Sequence, residues 1–185
     1  MALTGAADDR LYPVRPILAV SVAVFRAGRV PLARRAREPM IGCFSLPGGV
    51  VELGETLVEA ALRELAEEVG VEAEVVAFNR HVEAISRDGP RVRAHFVIAS
   101  FVARWRRGEG RISAEVDEVA WIEPSAAASL PTTPGLAEAL ESAGRIASCA
   151  GGNRLASSIR RSRSARLAES ITEANYRGKR RDPPA

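Results

Sequence analysis

Residues 49–71, GVVELGETLVEAALRELAEEVGV, contain a helix whose two ends are both written in the sequence. Thr56 followed three residues later by Glu59 is a capping-box pattern, and Gly70 supplies the left-handed stop. At about 100° per residue, Leu57, Val58, Ala61, Leu62, Leu65 and Val69 gather on one side, which has to face a core. Glu64 and Glu68 stand at i and i+4, with Glu67 beside them, along the edge of that apolar stripe. Like charges so placed cost an isolated helix about 0.2–0.5 kcal/mol per pair, and more where water is partly excluded. A solvated charged face is the plain reading of the triplet. The alternative is a cradle for a divalent cation, because hard Mg²⁺ or Mn²⁺ takes carboxylate oxygens, keeps several waters and bridges to phosphates. Arg63 can pair with a neighbouring carboxylate and hold its rotamer.

Working outward, LPGG (46–49) precedes the helix, and two glycines after a proline let backbone approach a ligand closely. Upstream, ILAVSVAVF (17–25) is a β-rich apolar run, and RAGRV turns into a second strand, VPLARRA (30–36). REPMIGCFSLPGG (37–49), with two prolines and three glycines, reads as a loop. Downstream, EAEVVAF (72–78), RVRAHFVIASFVARW (91–105) and VAWIEP (119–124) read as strands. TTPGLAEALESAGRIA (132–147) offers Thr133 as a helix cap with Pro134 at the first position. Strands before, between and after helices predict an α/β or α+β layered domain over residues 14–147, preceded by a loose leader at 1–13.

At 185 residues and 46% hydrophobic, the chain is long enough to bury one sizeable core. Its net charge of +3 is unevenly placed: from Arg145 onward nine Arg and one Lys face three acids, a net +7, leaving −4 for residues 1–144. The segment 148–185, rich in Arg, Ser, Gly and Pro, is expected to be a disordered tail, or a marginal helix built on Leu155, Ile159, Leu167 and Ile171. Two cysteines, Cys43 and Cys149, are too few for a disulfide scaffold and suit a reducing compartment. With no signal-like or membrane-length apolar run, a soluble cytoplasmic protein is expected.

The spacing then carries a family resemblance. Gly49, five residues, Glu55, seven residues, then Arg63-Glu64-Leu65-Ala66-Glu67-Glu68-Val69-Gly70-Val71 resembles the signature of the Nudix hydrolases at every defined position, nine of them across 23 residues. The resemblance implies an α/β/α sandwich with a mixed β-sheet, and cleavage of a nucleoside diphosphate linked to another group, with Mg²⁺ or Mn²⁺ required. Carried over, it makes Glu64, Glu67, Glu68 and the Gly49 carbonyl metal ligands. Arg63 would orient the acidic cluster, and Glu55 would brace the loop against the helix. Metal on the pyrophosphate neutralises developing charge and lowers the pKa of an attacking water. The acceptor of that water's proton stays open among Glu64, Glu68, Glu115 and Glu118. His81 and His95 are read as packed polar residues and Cys43 as a small apolar filler.

For substrate binding, Arg34 and Arg35 are candidates for a distal phosphate or ribose, against a merely solubilising role. Phe44 either stacks on a base or fills the core. Gly48 and Glu118 complete the set. Subfamily markers, a proline or a tyrosine downstream of the box, are missing from EAISRD (83–88), while FSLPGGVVELGETL (44–57) resembles ADP-ribose pyrophosphatase-like and MutT-like proteins. ADP-ribose or a nucleotide sugar is therefore favoured over a nucleoside triphosphate. A non-catalytic nucleotide sensor is the competing class, disfavoured by the complete acidic set. The basic tail is a candidate nucleic-acid contact through counterion release. No membrane partner is expected, and a monomer and a homodimer are both open.

Overall fold

The computed structural model describes residues 10–38 and 40–152. The expected tail helix and residues 1–9 of the expected leader lie outside that range. In chain order the described elements are β1 (Ile17–Phe25), β2 (Val30–Arg35), β3 (Phe44–Ser45), α1 (Leu57–Val69), β4 (Glu72–Asp88), β5 (Arg91–Arg107), β6 (Val116–Ile122), a 3-10 turn (Pro124–Ser129) and α2 (Leu136–Gly152). The chain parts into two units between Ser148 and Cys149, and every strand belongs to the first.

Two three-stranded sheets form the middle layer, ordered β1-β5-β4 and β3-β2-β6. The first is mixed: β1 runs parallel to β5 from Ile17↔Phe96 to Phe25↔Arg104, and β4 is antiparallel to β5. The second is antiparallel throughout. Alternation along the strands makes two cores. Val20, Val22 and Val24 of β1, with Ala99, Phe101 and Ala103 of β5, pack with Ala60, Ala61, Leu65 and Val69 of α1. On the opposite face, Ala23, Val30, Leu32 and Val102 pack with Leu136, Ala139, Leu140 and Ala143 of α2. The sequence dictates this arrangement, since a strand buried on both faces needs a near-continuous apolar run, and ILAVSVAVF is one. The result is the expected α/β layering with a helix on each face.

Helix α1 has the predicted bounds and caps. The Thr56 hydroxyl accepts from the Glu59 N–H, the Glu59 carboxylate accepts from the Thr56 N–H, and Gly70 closes the helix at φ 64°. Elsewhere the sequence reading is corrected. β4 runs ten residues past Phe78, as one arm of a hairpin with β5 that turns at Gly89 (φ 56°). The charged stretch 79–88 hides the strand because none of β4 is fully buried. Thr133, Pro134 and Gly135 precede α2 as a turn, so the helix starts at Leu136 and continues past residue 147 to Gly152. Strand β6 begins at Val116, which places Glu118 in a strand. Phe44 and Ser45 form a short strand inside the expected loop. Tyr12, placed in the loose leader, is anchored: its N–H donates to Arg93 O at 2.7 Å, its hydroxyl to Asp88 at 2.7 Å, and the Arg91 guanidinium lies 4.2 Å from its ring centre.

Candidate active site

The Pro-Gly-Gly bend is fixed by the backbone of β1. Val22 N–H donates to Pro47 O at 3.0 Å, Val20 N–H to Gly49 O at 2.8 Å, and Val51 N–H to Leu18 O at 3.1 Å. The bend thus closes the edge of β1 that β5 leaves free. It is closely packed: a Cβ on Gly48 would lie 2.1 Å from Val20 O, and one on Gly49 2.3 Å from Glu64 Oε1. Gly48 therefore needs glycine for space, since backbone stands in the way, whereas a side chain at position 49 would have to displace the Glu64 carboxylate.

Helix α1 presents its glutamates to this bend. The Gly48 N–H donates to Glu68 Oε2 at 2.8 Å, and the Glu64 carboxylate lies directly against Gly49. Arg63 binds helix to loop. Its Nη2 and Nε donate to Glu55 at 2.7 and 3.1 Å, Nη2 also to Val50 O at 3.2 Å, and Nη1 to Glu64 at 3.0 Å and Glu67 at 3.2 Å. Glu55 in turn accepts from the Glu52 N–H at 2.7 Å. The Arg63 hydrogen bond and then that backbone N–H hold the Glu55 carboxyl below the usual carboxylate range. The same partnership with Glu55 raises the Arg63 guanidinium.

Glu64 and Glu68 titrate the other way. Burial is the largest cause of the rise at Glu64, opposed by the hydrogen bond from Arg63, with Glu67 and Glu115 adding repulsion. Burial likewise pushes Glu68 up to about 7 against the Gly48 N–H, with Glu64 and Glu115 raising it further and Arg35 pulling it down. Two part-buried carboxylates whose charges are incompletely compensated thus line the bend. Glu67 differs, its side chain being 64% exposed. Among the described residues no three of His, Cys, Asp and Glu converge into a ready metal cluster.

The remaining candidates separate. Arg35 and Glu115 both lie within the electrostatic reach of Glu68, and Glu115 is 3.7 Å from Arg37. Arg34 and Glu118 meet each other, paired across the β2–β6 register with an ion pair at 3.0 Å, and Arg34 Nε donates to Asp117 at 2.7 Å. Asp117 escapes a sequence reading because nothing in the sequence shows that β6 lies beside β2. Phe44 is corrected as a stacking residue: it is 5% exposed and packs in the α2-side core, so its ring offers no face to a base. His81 is exposed on the edge strand β4, and Cys43 is a free thiol. No described helix is long and apolar enough to cross a membrane.

Known proteins resemble this chain in sequence and in fold. The family model described as NUDIX domain matches residues 15–143. An ADP-ribose pyrophosphatase of Methanocaldococcus jannaschii is 32% identical over 114 residues, covering 62% of this chain and 65% of that protein. The NAD-capped RNA hydrolase NudC of Chromobacterium violaceum is 32% identical over 131 residues, covering 70% of this chain but 46% of NudC. The chain therefore spans less than two thirds of the length of either relative. The crystal structure of a MutT NUDIX hydrolase from Burkholderia pseudomallei superposes with a TM-score of 0.60 at 28% identity, covering 69% of this chain and 98% of the other.

Proposed function

Because the chain belongs to the Nudix hydrolase family, which the match over residues 15–143 shows, we propose that it hydrolyses the pyrophosphate bond of a nucleoside diphosphate derivative, with ADP-ribose or a nucleotide sugar preferred. The observation that carries this reading is the meeting of Glu68 and Glu64 with the Gly48–Gly49 bend, where one carboxylate takes the Gly48 N–H and the other fills the space a Cβ would occupy. The preference for ADP-ribose is supported by the archaeal relative's name.

The donors suit a hard divalent cation. Glu64, Glu67, Glu68 and the Gly49 carbonyl offer oxygen only, and the raised carboxyls of Glu64 and Glu68 are what incompletely compensated anions produce. These four residues would hold Mg²⁺ or Mn²⁺, and a bound ion supplies charge neutralisation at the phosphates and a more acidic water. The chain's own residues do the rest. Arg63 fixes the rotamers of Glu55 and Glu64 and so sets helix against loop. The side-chain-free bend lets phosphate oxygens approach the backbone closely. Glu68 is positioned to accept the proton of the attacking water near neutral pH, with Glu64, Glu115 and Glu118 as the alternatives. Arg35 lies within the electrostatic reach of Glu68, and Arg34 is paired with Asp117 and Glu118.

The test is a screen of the purified chain with Mg²⁺ or Mn²⁺ against ADP-ribose, nucleotide sugars, NAD and nucleoside triphosphates. ADP-ribose plus water should give AMP and ribose 5-phosphate, and EDTA should stop turnover reversibly. Turnover confined to triphosphates would replace the preferred substrate with the MutT-like alternative. Binding of these ligands without turnover of any would favour the nucleotide-sensing reading.

A further inference from the structure

Strand β4 is the outer strand of its sheet, and no residue of its 17 is fully buried, whereas six of its partner β5 are. The outward N–H and C=O groups of such an edge are a template for another strand. Bulges blunt most of it: register shifts fall at Glu72/Ala73, Val75/Ala77, Phe78/Arg80 and Ser86/Arg87, leaving Arg80–Ser86 as the longest unbroken stretch. A cavity of about 380 Å³ lined by Arg80, His81, Val82, Glu83, Gly135 and Glu138 opens along the same stretch. The side chains of Arg80, His81 and Glu83 make no hydrogen bond or ion pair with another described residue.

The β5 register assigns each side chain to a face. His81↔Ala99, Glu83↔Val97 and Ile85↔His95 lie on the α1 side, as does Phe78↔Phe101; Arg80↔Ser100, Val82↔Ile98 and Ala84↔Phe96 lie on the α2 side. A second copy joined edge to edge about a two-fold axis normal to the sheet must set same-face residues opposite one another, so the axis passes through a residue. An axis at Arg80 or Glu83 opposes identical charges, one at His81 opposes two imidazoles, and one at Ala84 sets Glu83 against Ile85. Within the unbroken stretch Arg80–Ser86, an axis at Val82 gives complementary neighbours: Val82 meets Val82, His81 meets Glu83 of the second copy on both sides of the axis, and the bulge at Asn79 brings Phe78 opposite Ile85; an axis at Ile85 finds a charged complement only by setting Glu83 against Arg87, beyond the register shift at Ser86/Arg87. Phe78 and Ile85 are 53% and 47% exposed in the single chain.

We propose that β4 is a homodimerisation edge, in which two copies pair antiparallel about Val82 to form one continuous sheet with reciprocal His81–Glu83 contacts. The test is sedimentation equilibrium of the full chain with His81→Glu, Glu83→Arg and the double variant, whose exposed side chains leave the fold intact by circular dichroism. The wild type should dimerise by ~100 µM, and His81→Glu, which sets Glu against Glu twice, should weaken dimerisation about tenfold. The double variant should restore it, because each introduced glutamate then faces an introduced arginine. Mixing the two single variants should give a heterodimer for the same reason, with the native His81 and Glu83 facing each other at the remaining contact. A wild type that stays monomeric at ~100 µM, or a dimer equally tight in all four proteins, overturns the proposal. Pairing with an unrelated strand or a different face would appear as that second outcome.

Discussion

Glu68 offers a direct measure of the compensation missing at the bend. Its carboxyl, part-buried against the Gly48 N–H, is pushed from 4.5 up to about 7, chiefly by burial. A carboxyl whose folded pKa is raised keeps its proton in the native state after the unfolded chain has lost it. Stability from this group is therefore unaffected below pH 4.5, declines as pH climbs from there to about 7, and stays reduced above it. At about 1.4 kcal/mol per pKa unit, the penalty at pH 8 is roughly 3 kcal/mol. Glu68→Gln keeps the side chain's shape and an acceptor for the Gly48 N–H while removing the charge. In EDTA the variant should match wild type near pH 4.5 and exceed it by up to about 3 kcal/mol at pH 8, or about 6–12 °C in Tm. Urea unfolding at the two pH values measures this. Mg²⁺ should then raise wild-type stability at pH 8 more than that of the variant, while turnover of any responsive substrate is lost. If the variant shows no pH-dependent gain, the charge on Glu68 is not penalised and the reasoning fails. If it hydrolyses substrate at the wild-type rate, the catalytic assignment fails separately.

Other perturbations probe the same architecture. Gly49→Ala would place a Cβ 2.3 Å from Glu64 Oε1, so kcat should fall about 10–100-fold by displacement of that carboxylate; unchanged steady-state kinetics would show that Glu64 is free to move. Arg63→Lys loses the paired donors to Glu55 and the bridge to Glu64 and Glu67. An ammonium cannot replace that fork, and metal affinity measured by calorimetry should drop about 10–100-fold. Thr56→Ala removes one half of the capping box, at about 1 kcal/mol or 2–4 °C in Tm with little effect on turnover. A salt titration of binding to arbitrary RNA, with and without residues 150–185, tests the role expected of the basic tail; an identical salt slope after truncation dismisses it.

The bounds of helix α1 were legible because the signals that fix them are local: Thr56 and Glu59 cap one end and Gly70 the other. The apolar spacing named Ala61, Leu65 and Val69 of the buried side but is corrected at Val58, which is 40% exposed, and at Ala60, which is buried in its place. Strand β1 was equally plain, since burial on both faces leaves no polar residue but Ser21. The outer half of β4 was not, because an exposed edge strand needs no apolar pattern; its conformation is imposed by hydrogen bonding to β5, across the turn end of a hairpin whose sequence over residues 79–95 is mostly polar. Phe44 shows the same limit from the other side, an aromatic beside the bend that could face a ligand or the core until Leu32, Leu46 and α2 settled the matter.

The sequence by itself thus determined the helix, its acidic edge and the spacing to the glycine bend, because helical periodicity and capping act over a few residues. Only the tertiary structure decided which charges meet. Arg34 against Asp117 and Glu118, Glu115 and Arg35 within reach of Glu68, and Gly48 against the β1 backbone all join segments far apart in the chain. Coulomb interactions and steric exclusion depend on distances in space, which the strand order β3-β2-β6 and the packing of α1 on β1 set.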